Sequence, residues 1–365
     1  MIYYSYKNID KKKALWNLVI GERSNGKTYG LCEKMIKNFF VNKKASAYIR
    51  RYAMDIKGHR GQQVFAGNVA NGQVEKYSKG KYNGIRFKSR RWTFILKDED
   101  ENILAESSPF CYAFALAEYE HDKSTTYPDI TIIGFDEFIS RDLYLEDEFT
   151  LLANVLSTII RQRGDAKIYL LANTVNMYSP YFKELGLKHV RDMHPGQIDV
   201  YTYNEGKTTL AIEYCDTSLQ NKGKKDSNKY FGFDNPKLSV IKGASWEIPT
   251  YPHAPCKYFR KNILFTFFII FEEEMLQCEI IARDNNIFMF VHRKTTPLRD
   301  EKNDLIYQQE YNPAVNYRRK ITIPQSKVES KIADLIKNDK VFFQDNLVGE
   351  TFRNYLHWCA ESSTY

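Results

Sequence analysis

Apolar residues run almost unbroken from Ala14 to Ile20 (ALWNLVI). An uninterrupted stretch of this length suits a strand buried on both faces, at the centre of a parallel sheet. Beyond it the period changes: Tyr29, Leu31, Met35, Ile36, Phe39 and Phe40 recur at helical spacing. Three later runs repeat the strand pattern, at Ser46–Tyr52, Pro128–Phe138 and Ala166–Thr174. Between the last two, EDEFTLLANVLSTIIRQRG predicts an amphipathic helix stopped by Gly164. Strands alternating with helices predict a mostly parallel α/β sheet. Residues 62–105, rich in Gly, Lys and alternating aromatics, are expected to form short antiparallel strands inserted into it.

The pattern changes after about residue 200. Asp216–Gly232 is polar and basic and reads as a loop or lid. From about residue 246 a second unit begins. KNILFTFFIIFEEEMLQCEIIARDNNIFMFVHR predicts three consecutive strands, with turns near Glu272–Glu274 and Asp284–Asn286. Two amphipathic stretches, Gln325–Asn338 and Val348–Ala360, predict helices. The expected division is therefore a domain over 1–200, a linker or lid region over 201–245 and a smaller domain over 246–365. A chain of 365 residues accommodates two such cores.

Composition narrows the class of protein. Hydrophobic residues make up 43% and charged residues 27%, as in a soluble globular chain. The net charge of +8 is compatible with a nucleic-acid partner without requiring one. The six cysteines are scattered with no C-x-x-C pair, and His189 and His194 have no thiolate partners, which argues against zinc. The N-terminal MIYYSYKNIDKKK lacks the apolar core of a signal peptide, and Ile263–Phe271 is too short to span a bilayer. A cytoplasmic protein with no membrane association is expected.

The chemistry concentrates in GERSNGKT, directly after the first strand. Gly21, Gly26, Lys27 and Thr28 fill every specified position of G-x-x-x-x-G-K-[ST], the Walker A phosphate loop, with Glu22, Arg23, Ser24 and Asn25 between them. Glycines let backbone N–H groups curl around an anion at a helix N-terminus. Lys27 is placed for the β- and γ-phosphates of ATP, and the Thr28 hydroxyl for Mg²⁺. The strand TIIGFDE delivers Asp136 to its C-terminal tip, the Walker B position for holding Mg²⁺, and the adjoining Glu137 is placed to orient or activate a water. Asn173, at the end of the next strand, is placed either as a γ-phosphate sensor or as a turn or cap residue. Arg161 and Arg163 end the intervening helix, either as arginine fingers towards a neighbouring subunit or as charges that complement the helix dipole. Lys79–Trp92 (KGKYNGIRFKSRRW) reads as a backbone-binding face or as an edge hairpin protected by its charges, the second slightly favoured.

Taken in order, the segments NLVIGERSNGKTYGL, AYIRRY, EHDKSTTYPDITIIGFDEFIS, LLANVLSTIIRQR and LLANTVNMYSPYF resemble the DNA encapsidation ATPases of small podoviruses. The resemblance covers most of residues 14–185. It implies a P-loop NTPase core of the additional-strand, catalytic-glutamate type, a linker, and a smaller α+β RNase H-like domain that has lost nuclease activity. It also implies a terminase-like motor that assembles as a homomeric ring, usually a pentamer. By position, Glu137 is the catalytic base, Asp136 the Walker B acid and Arg161 the trans-acting finger in preference to Arg163. Arg23 matches a loop arginine that contacts the γ-phosphate. Lys123 aligns with a basic residue facing the neighbour's nucleotide, with a solvated loop lysine as the alternative.

The expected function is an ATP-driven double-stranded DNA translocase that packages a viral genome into a preformed prohead in the host cytoplasm. A portal protein and a structural prohead RNA are the further partners implied. The alternatives are another P-loop nucleic-acid ATPase, helicase-like or of the partition type, and a non-hydrolysing prohead adaptor. A two-metal nuclease needs a carboxylate on its first, central strand, and Asn262–Phe271 contains none, so the second domain is expected to be non-catalytic.

Overall fold

The apolar runs of the first half become strands of one nine-stranded sheet, seen in a computed structural model that describes residues 3–23, 25–118, 126–141, 143–216 and 249–361. In chain order, α1 (Lys7–Asp10) precedes β1 (Trp16–Gly21), which leads through a loop into α2 (Lys27–Lys37) and on to β2 (Ala45–Arg50). Three short helices follow, α3 (His59–Gln63), α4 (Ala66–Ala70) and α5 (Gln73–Ser78), then the hairpin of β3 (Gly84–Lys88) and β4 (Arg91–Lys97). Next come β5 (Ile103–Ala115), β6 (Ile130–Asp136), α6 (Glu148–Ile160), β7 (Lys167–Asn173), α7 (Pro180–Glu184), β8 (Ile198–Tyr203) and β9 (Thr208–Tyr214).

The spatial order is β3-β4-β5-β2-β6-β7-β1-β9-β8. Strands β5 to β9 in that order are parallel, and β4, β3 and β8 extend the two edges antiparallel. Parallel strands need both faces covered, and their burial is correspondingly deep: Leu18, Val19, Ile20, Ile133 and Leu170 are fully inaccessible.

Three segments depart from the sequence-based expectation. Residues 59–78 are helical rather than stranded. Buried Phe65 and Val74 anchor them, and Asn68 donates to the Tyr29 carbonyl of α2 at 3.2 Å and to Gln73 Oε1 at 2.6 Å. The long strand β5 was hidden because its first half pairs with β4 with most side chains exposed or half-exposed, and only its second half enters the core beside β2. Residues 201–214, expected to open the linker, instead complete β8 and form β9, which lies parallel to β1 (Leu18 opposite Ile212). The rest of that expected linker from 217 to 245, with most of the loop or lid, lies outside the described residues, as do 246–248.

Contacts divide the chain into two units, Met1–Arg141 with Asp147–Glu247, and Asp142–Glu146 with Ile248–Tyr365. In the second, β10 (Ile263–Phe271), β11 (Glu274–Arg283) and β12 (Asn286–Arg293) form the expected antiparallel meander. β13 (Ile306–Gln308) lies parallel to β10 and β14 (Tyr317–Arg318) parallel to β13. Helix α8 (Lys327–Lys337), strand β15 (Val341–Phe343) beside β12, and helix α9 (Asn346–Glu361) complete it. The order β14-β13-β10-β11-β12-β15 places the unit's first strand in the chain, β10, inside the sheet, flanked by a parallel strand on one side and the rest of the meander on the other. This is the RNase H-like arrangement with one added edge strand. Among the described residues no helix is long and apolar enough to cross a membrane.

One packing constraint sets how α2 sits on the sheet. A Cβ at Gly134 of β6 would lie 2.4 Å from Leu31 Cδ2 and 2.9 Å from Met35 Cε, so the helix rests directly on a glycine backbone. Leu31 and Met35 are themselves fully buried and have little room to yield. Gly134→Ala should therefore destabilise the first unit by roughly 1–3 kcal/mol through overpacking. Urea unfolding should show this as a lower midpoint, and in the Gly134→Ala/Leu31→Ala double variant the two costs should combine to less than their sum.

Candidate phosphate-loop site

The site forms where the parallel strands end. Gly21 ends β1 directly opposite Asn173 at the end of β7, and Asp136 ends β6 one strand further on. A single strand, β7, thus separates the phosphate-loop strand from the acid-bearing strand. The loop is tied down from several sides: Thr174 N–H donates to the Gly21 carbonyl at 3.1 Å, Cys215 N–H to Ile20 at 2.8 Å, and Tyr4 N–H to Asn25 at 3.0 Å. Gly26 takes φ 87°, and a Cβ there would come within 2.7 Å of the Tyr3 ring. Both facts demand glycine.

Lys27 is buried and its ammonium is saturated by the chain itself. Nζ donates to the carbonyls of Glu22 (2.7 Å) and Gly21 (3.2 Å), to Asn173 Oδ1 (3.1 Å) and to Asn25 Oδ1 (3.2 Å). Asn25 Oδ1 also accepts the Lys27 backbone N–H at 3.2 Å, so one carboxamide oxygen engages two donors of the kind an anion would use. Burial pulls the Lys27 pKa down to about 8, against Cys215, Asp136 and Glu22, which act to hold it up.

The Thr28 hydroxyl donates to Asp136 Oδ2 at 2.9 Å. Asp136 is buried, and the same oxygen accepts the Tyr48 hydroxyl at 2.8 Å. A threonine hydroxyl beside a buried carboxylate is a set of hard oxygen donors, suited to Mg²⁺. Glu137 has φ 63°, which turns the chain out of the strand, and its carboxylate takes a 2.6 Å bond from Arg50 Nη2. Arg50 also lies 4.0 Å from Asp136 and 3.7 Å from Asp55. Burial disfavours the Arg50 charge, but Tyr48, Asp136 and Glu137 outweigh it and push its pKa up.

The structure thus brings Lys27, Thr28, Asn25, Asn173, Asp136 and Glu137 together. Arg23 lies exposed on the loop, and Glu22 contributes its carbonyl. Arg161 is the exposed C-cap of α6, with φ 38°. Arg163 is committed elsewhere: its guanidinium donates to the carbonyls of Ile130 (2.7 Å), Pro128 (2.9 Å) and Ile159 (3.1 Å). Ser24 and Lys123 lie outside the described residues. Of Lys79–Trp92, residues from Gly84 onward lie in the β3–β4 edge hairpin and Lys79 caps α5, with Arg86 paired to Glu106 at 3.1 Å and Arg90 paired to Glu118.

Sequence reasoning missed Tyr48, Arg50 and Arg51. Their signal lay in AYIRRY, where polar and aromatic side chains crowd the C-terminal tip of a buried strand, the edge at which the acids also end. In the second unit the buried acids are engaged locally: Glu279 accepts the Tyr258 hydroxyl at 2.6 Å, and Glu350 that of Tyr251 at 2.7 Å. Among the described residues no group of three or more His, Cys, Asp or Glu is placed to hold a metal ion.

Sheet order, loop and acid-bearing strand define a P-loop NTPase of the additional-strand type. Residues 1–203 match the family model described as Podovirus DNA encapsidation protein (Gp16), and the chain belongs to that family. It is 28% identical over 233 residues to a DNA packaging protein of Bacillus phage B103, covering 59% of this chain and 66% of that protein. It is 26% identical over 184 residues to the DNA packaging protein of Bacillus phage phi29, covering 50% of this chain and 49% of that protein. The matches thus span 49% and 66% of these two relatives, less than two thirds of either. Its fold is similar along its length to the Phi-28 gp11 DNA packaging motor, with a TM-score of 0.55 at 19% identity, covering 100% of this chain and 98% of that one. It is also similar to a chain of the bacteriophage Phi-29 genome packaging motor assembly, with a TM-score of 0.51 at 20% identity, covering 97% of this chain and 100% of that one.

The buried hydroxyl–carboxylate contact makes a direct test of this geometry possible. Tyr48→Phe should lower the stability of the first unit by about 1.5–3 kcal/mol, as expected for loss of a bond to a charged acceptor. In an Asp136→Asn background the same substitution should cost less than half as much, read by urea unfolding as a double-mutant cycle.

Proposed function

We propose that the chain is an ATP-driven double-stranded DNA translocase that packages a viral genome into a prohead. The observation that carries this reading is the 2.9 Å Thr28–Asp136 bond beside the Lys27 ammonium, with Glu137 next along the chain. Lys27, the backbone of Gly21–Thr28 and Asn173 would surround the β- and γ-phosphates of ATP, with Arg23 reaching in from the loop's exposed side. Thr28 and Asp136 would hold Mg²⁺, which when bound supplies charge stabilisation to the phosphates.

Glu137 is the general base that orients water. The Arg50 guanidinium occupies the Glu137 carboxylate at 2.6 Å, so Glu137 must leave Arg50 to accept from water. For phosphate to enter, the Asn25 oxygen must give up the two Lys27 donors. Arg161, at the exposed end of α6, is the finger offered to the adjoining subunit of a homomeric ring, and Arg163 serves as an anchor. Lys123 has the same trans-facing role by resemblance.

The relatives named for DNA packaging and for a packaging-motor assembly support DNA as the cargo; a prohead portal, a structural RNA and a ring formed on the prohead in the host cytoplasm follow from the resemblance to the encapsidation ATPases. We read the second unit as a non-catalytic RNase H-like domain, because its central strand carries no acid.

Three substitutions separate the roles in an ATP hydrolysis assay with double-stranded DNA and proheads. Lys27→Ala should abolish ATP binding. Glu137→Gln should bind ATP and lose turnover. Arg161→Ala should lose about 10³-fold in turnover, the range for an arginine finger. Mixing Arg161→Ala with Lys27→Ala subunits should restore part of the activity, because the intact finger then meets an intact site. ATP binding without any turnover by the natural chain would replace the motor with an adaptor.

A further inference from the structure

Arg50 and Arg51 are neighbours at the exit of β2, and they hold the residue after the Walker B acid from two sides. Arg50 takes the Glu137 carboxylate. Arg51 takes its backbone: Nη1 donates to the Glu137 carbonyl at 3.2 Å and Nη2 to the Phe138 carbonyl at 3.0 Å. The same guanidinium makes a two-pronged pair with Glu148, Nε to Oε2 at 2.6 Å and Nη2 to Oε1 at 2.8 Å. Glu148 opens α6, is 2% exposed, and also accepts the Tyr181 hydroxyl at 2.7 Å. One planar side chain therefore joins the exit of β6 to the start of α6.

The other end is joined as well. Arg163, just beyond α6, donates to the Ile159 carbonyl of the helix and to the Ile130 and Pro128 carbonyls at the entry of β6. A thirteen-residue helix is about 20 Å long and a seven-residue strand about 23 Å, so the two elements match in length and are pinned at both ends. A guanidinium fork fixes both distance and orientation, which a single lysine contact would not. Arg161 lies between the last helical turn and the Arg163 anchor.

We propose that Arg51 is a positioning residue that couples the backbone of Glu137 to the helix bearing Arg161, so that a subunit's own nucleotide state sets how it presents its arginine to its neighbour. The roles of Glu137 and Arg161 rest on the function proposed above. Movement of the β6 exit as Glu137 engages or releases nucleotide is passed to α6 through the Arg51–Glu148 pair, and the Arg163 anchor turns it into a rotation of the last helical turn, which bears Arg161.

The test is hydrogen exchange on the full chain with and without Mg·ATPγS, comparing the natural protein with Glu148→Gln, which keeps shape and one accepting oxygen but removes the charge. In the natural protein nucleotide should slow exchange at least threefold both at Gly134–Phe138 and at Val155–Arg163. In Glu148→Gln the first response should persist and the second should fall by more than half. DNA-stimulated kcat should drop at least tenfold while the ATP Kd stays within twofold. Tyr181→Phe, which removes one bond and leaves the ion pair, should give the same pattern at smaller amplitude. Equal responses at both segments in Glu148→Gln would overturn the coupling, as would no response of α6 in the natural protein. Loss of ATP binding in both variants would reduce the pair to a structural cross-link and sink the proposal. A natural protein that binds Mg·ATPγS but never turns over ATP would defeat the motor reading, and the exchange data would still judge the coupling.

Discussion

The bond from the Thr28 hydroxyl to Asp136 joins residues 108 positions apart, and it can form because β1 and β6 run parallel and end at the same edge of one sheet, β6 two residues short of β1. Parallel strands bring their C-terminal ends to one edge. Their slanted hydrogen bonds set register strand by strand, here Gly21 opposite Asn173 and Asp136 opposite Leu171. A slip of one residue in either pairing would turn Asp136 or the loop towards the wrong face. The close seat of α2 on Gly134 then fixes where the helix starts, and with it where Lys27 and Thr28 project.

Three arginines divide the work along β6 and α6, Arg50 and Arg51 at the exit of β6 and Arg163 at its entry, and burial separates the roles of the first two. Arg50 is paired with a carboxylate that is 54% exposed, so solvent screens the pair and its net contribution is small, about 0–1 kcal/mol. Such a contact is easily exchanged, as a catalytic glutamate requires. Arg51 and Glu148 are almost wholly buried, and their charges are satisfied by four contacts to protein oxygens and by the Tyr181 hydroxyl. Breaking one side of such a pair leaves a buried charge without its partner, so it behaves as a fixed joint. Arg163 satisfies the carbonyls at the end of α6 that no helical N–H can reach. Adjacent positions in the chain thus serve opposite mechanical ends, one releasable and one rigid.

The second unit uses its buried acids to hold its own scaffold together. The meander and its parallel neighbours pack Phe267, Ile269, Leu276 and Cys278 into a closed core. Its buried acids are held by tyrosines and an arginine from nearby elements, Tyr258 on Glu279, and Tyr251 and Arg353 on Glu350. Carboxylates used in this way stabilise the scaffold, because each accepts bonds from groups that would otherwise be buried without partners.

The amino-acid pattern alone determined the alternation of strand and helix, the phosphate-loop residues, the acid pair at the tip of β6 and the three-strand meander. These follow from local spacing: periods of two or 3.6, glycines at fixed offsets, and carboxylates after an apolar run. It did not reveal the helices at 59–78, where anchoring is by Phe65, Val74 and the Asn68 bonds to α2, nor β9, whose place is set by pairing with β1 about 190 residues away. Nor did it distinguish Arg161 from Arg163 by their own chemistry. Both end the same helix, and only the tertiary structure shows Arg163 spent on the carbonyls of Ile130 and Pro128. The division has one physical cause. Local spacing records what a segment can become, whereas the partners of a buried charge are chosen by elements distant in the chain that meet only when the sheet closes.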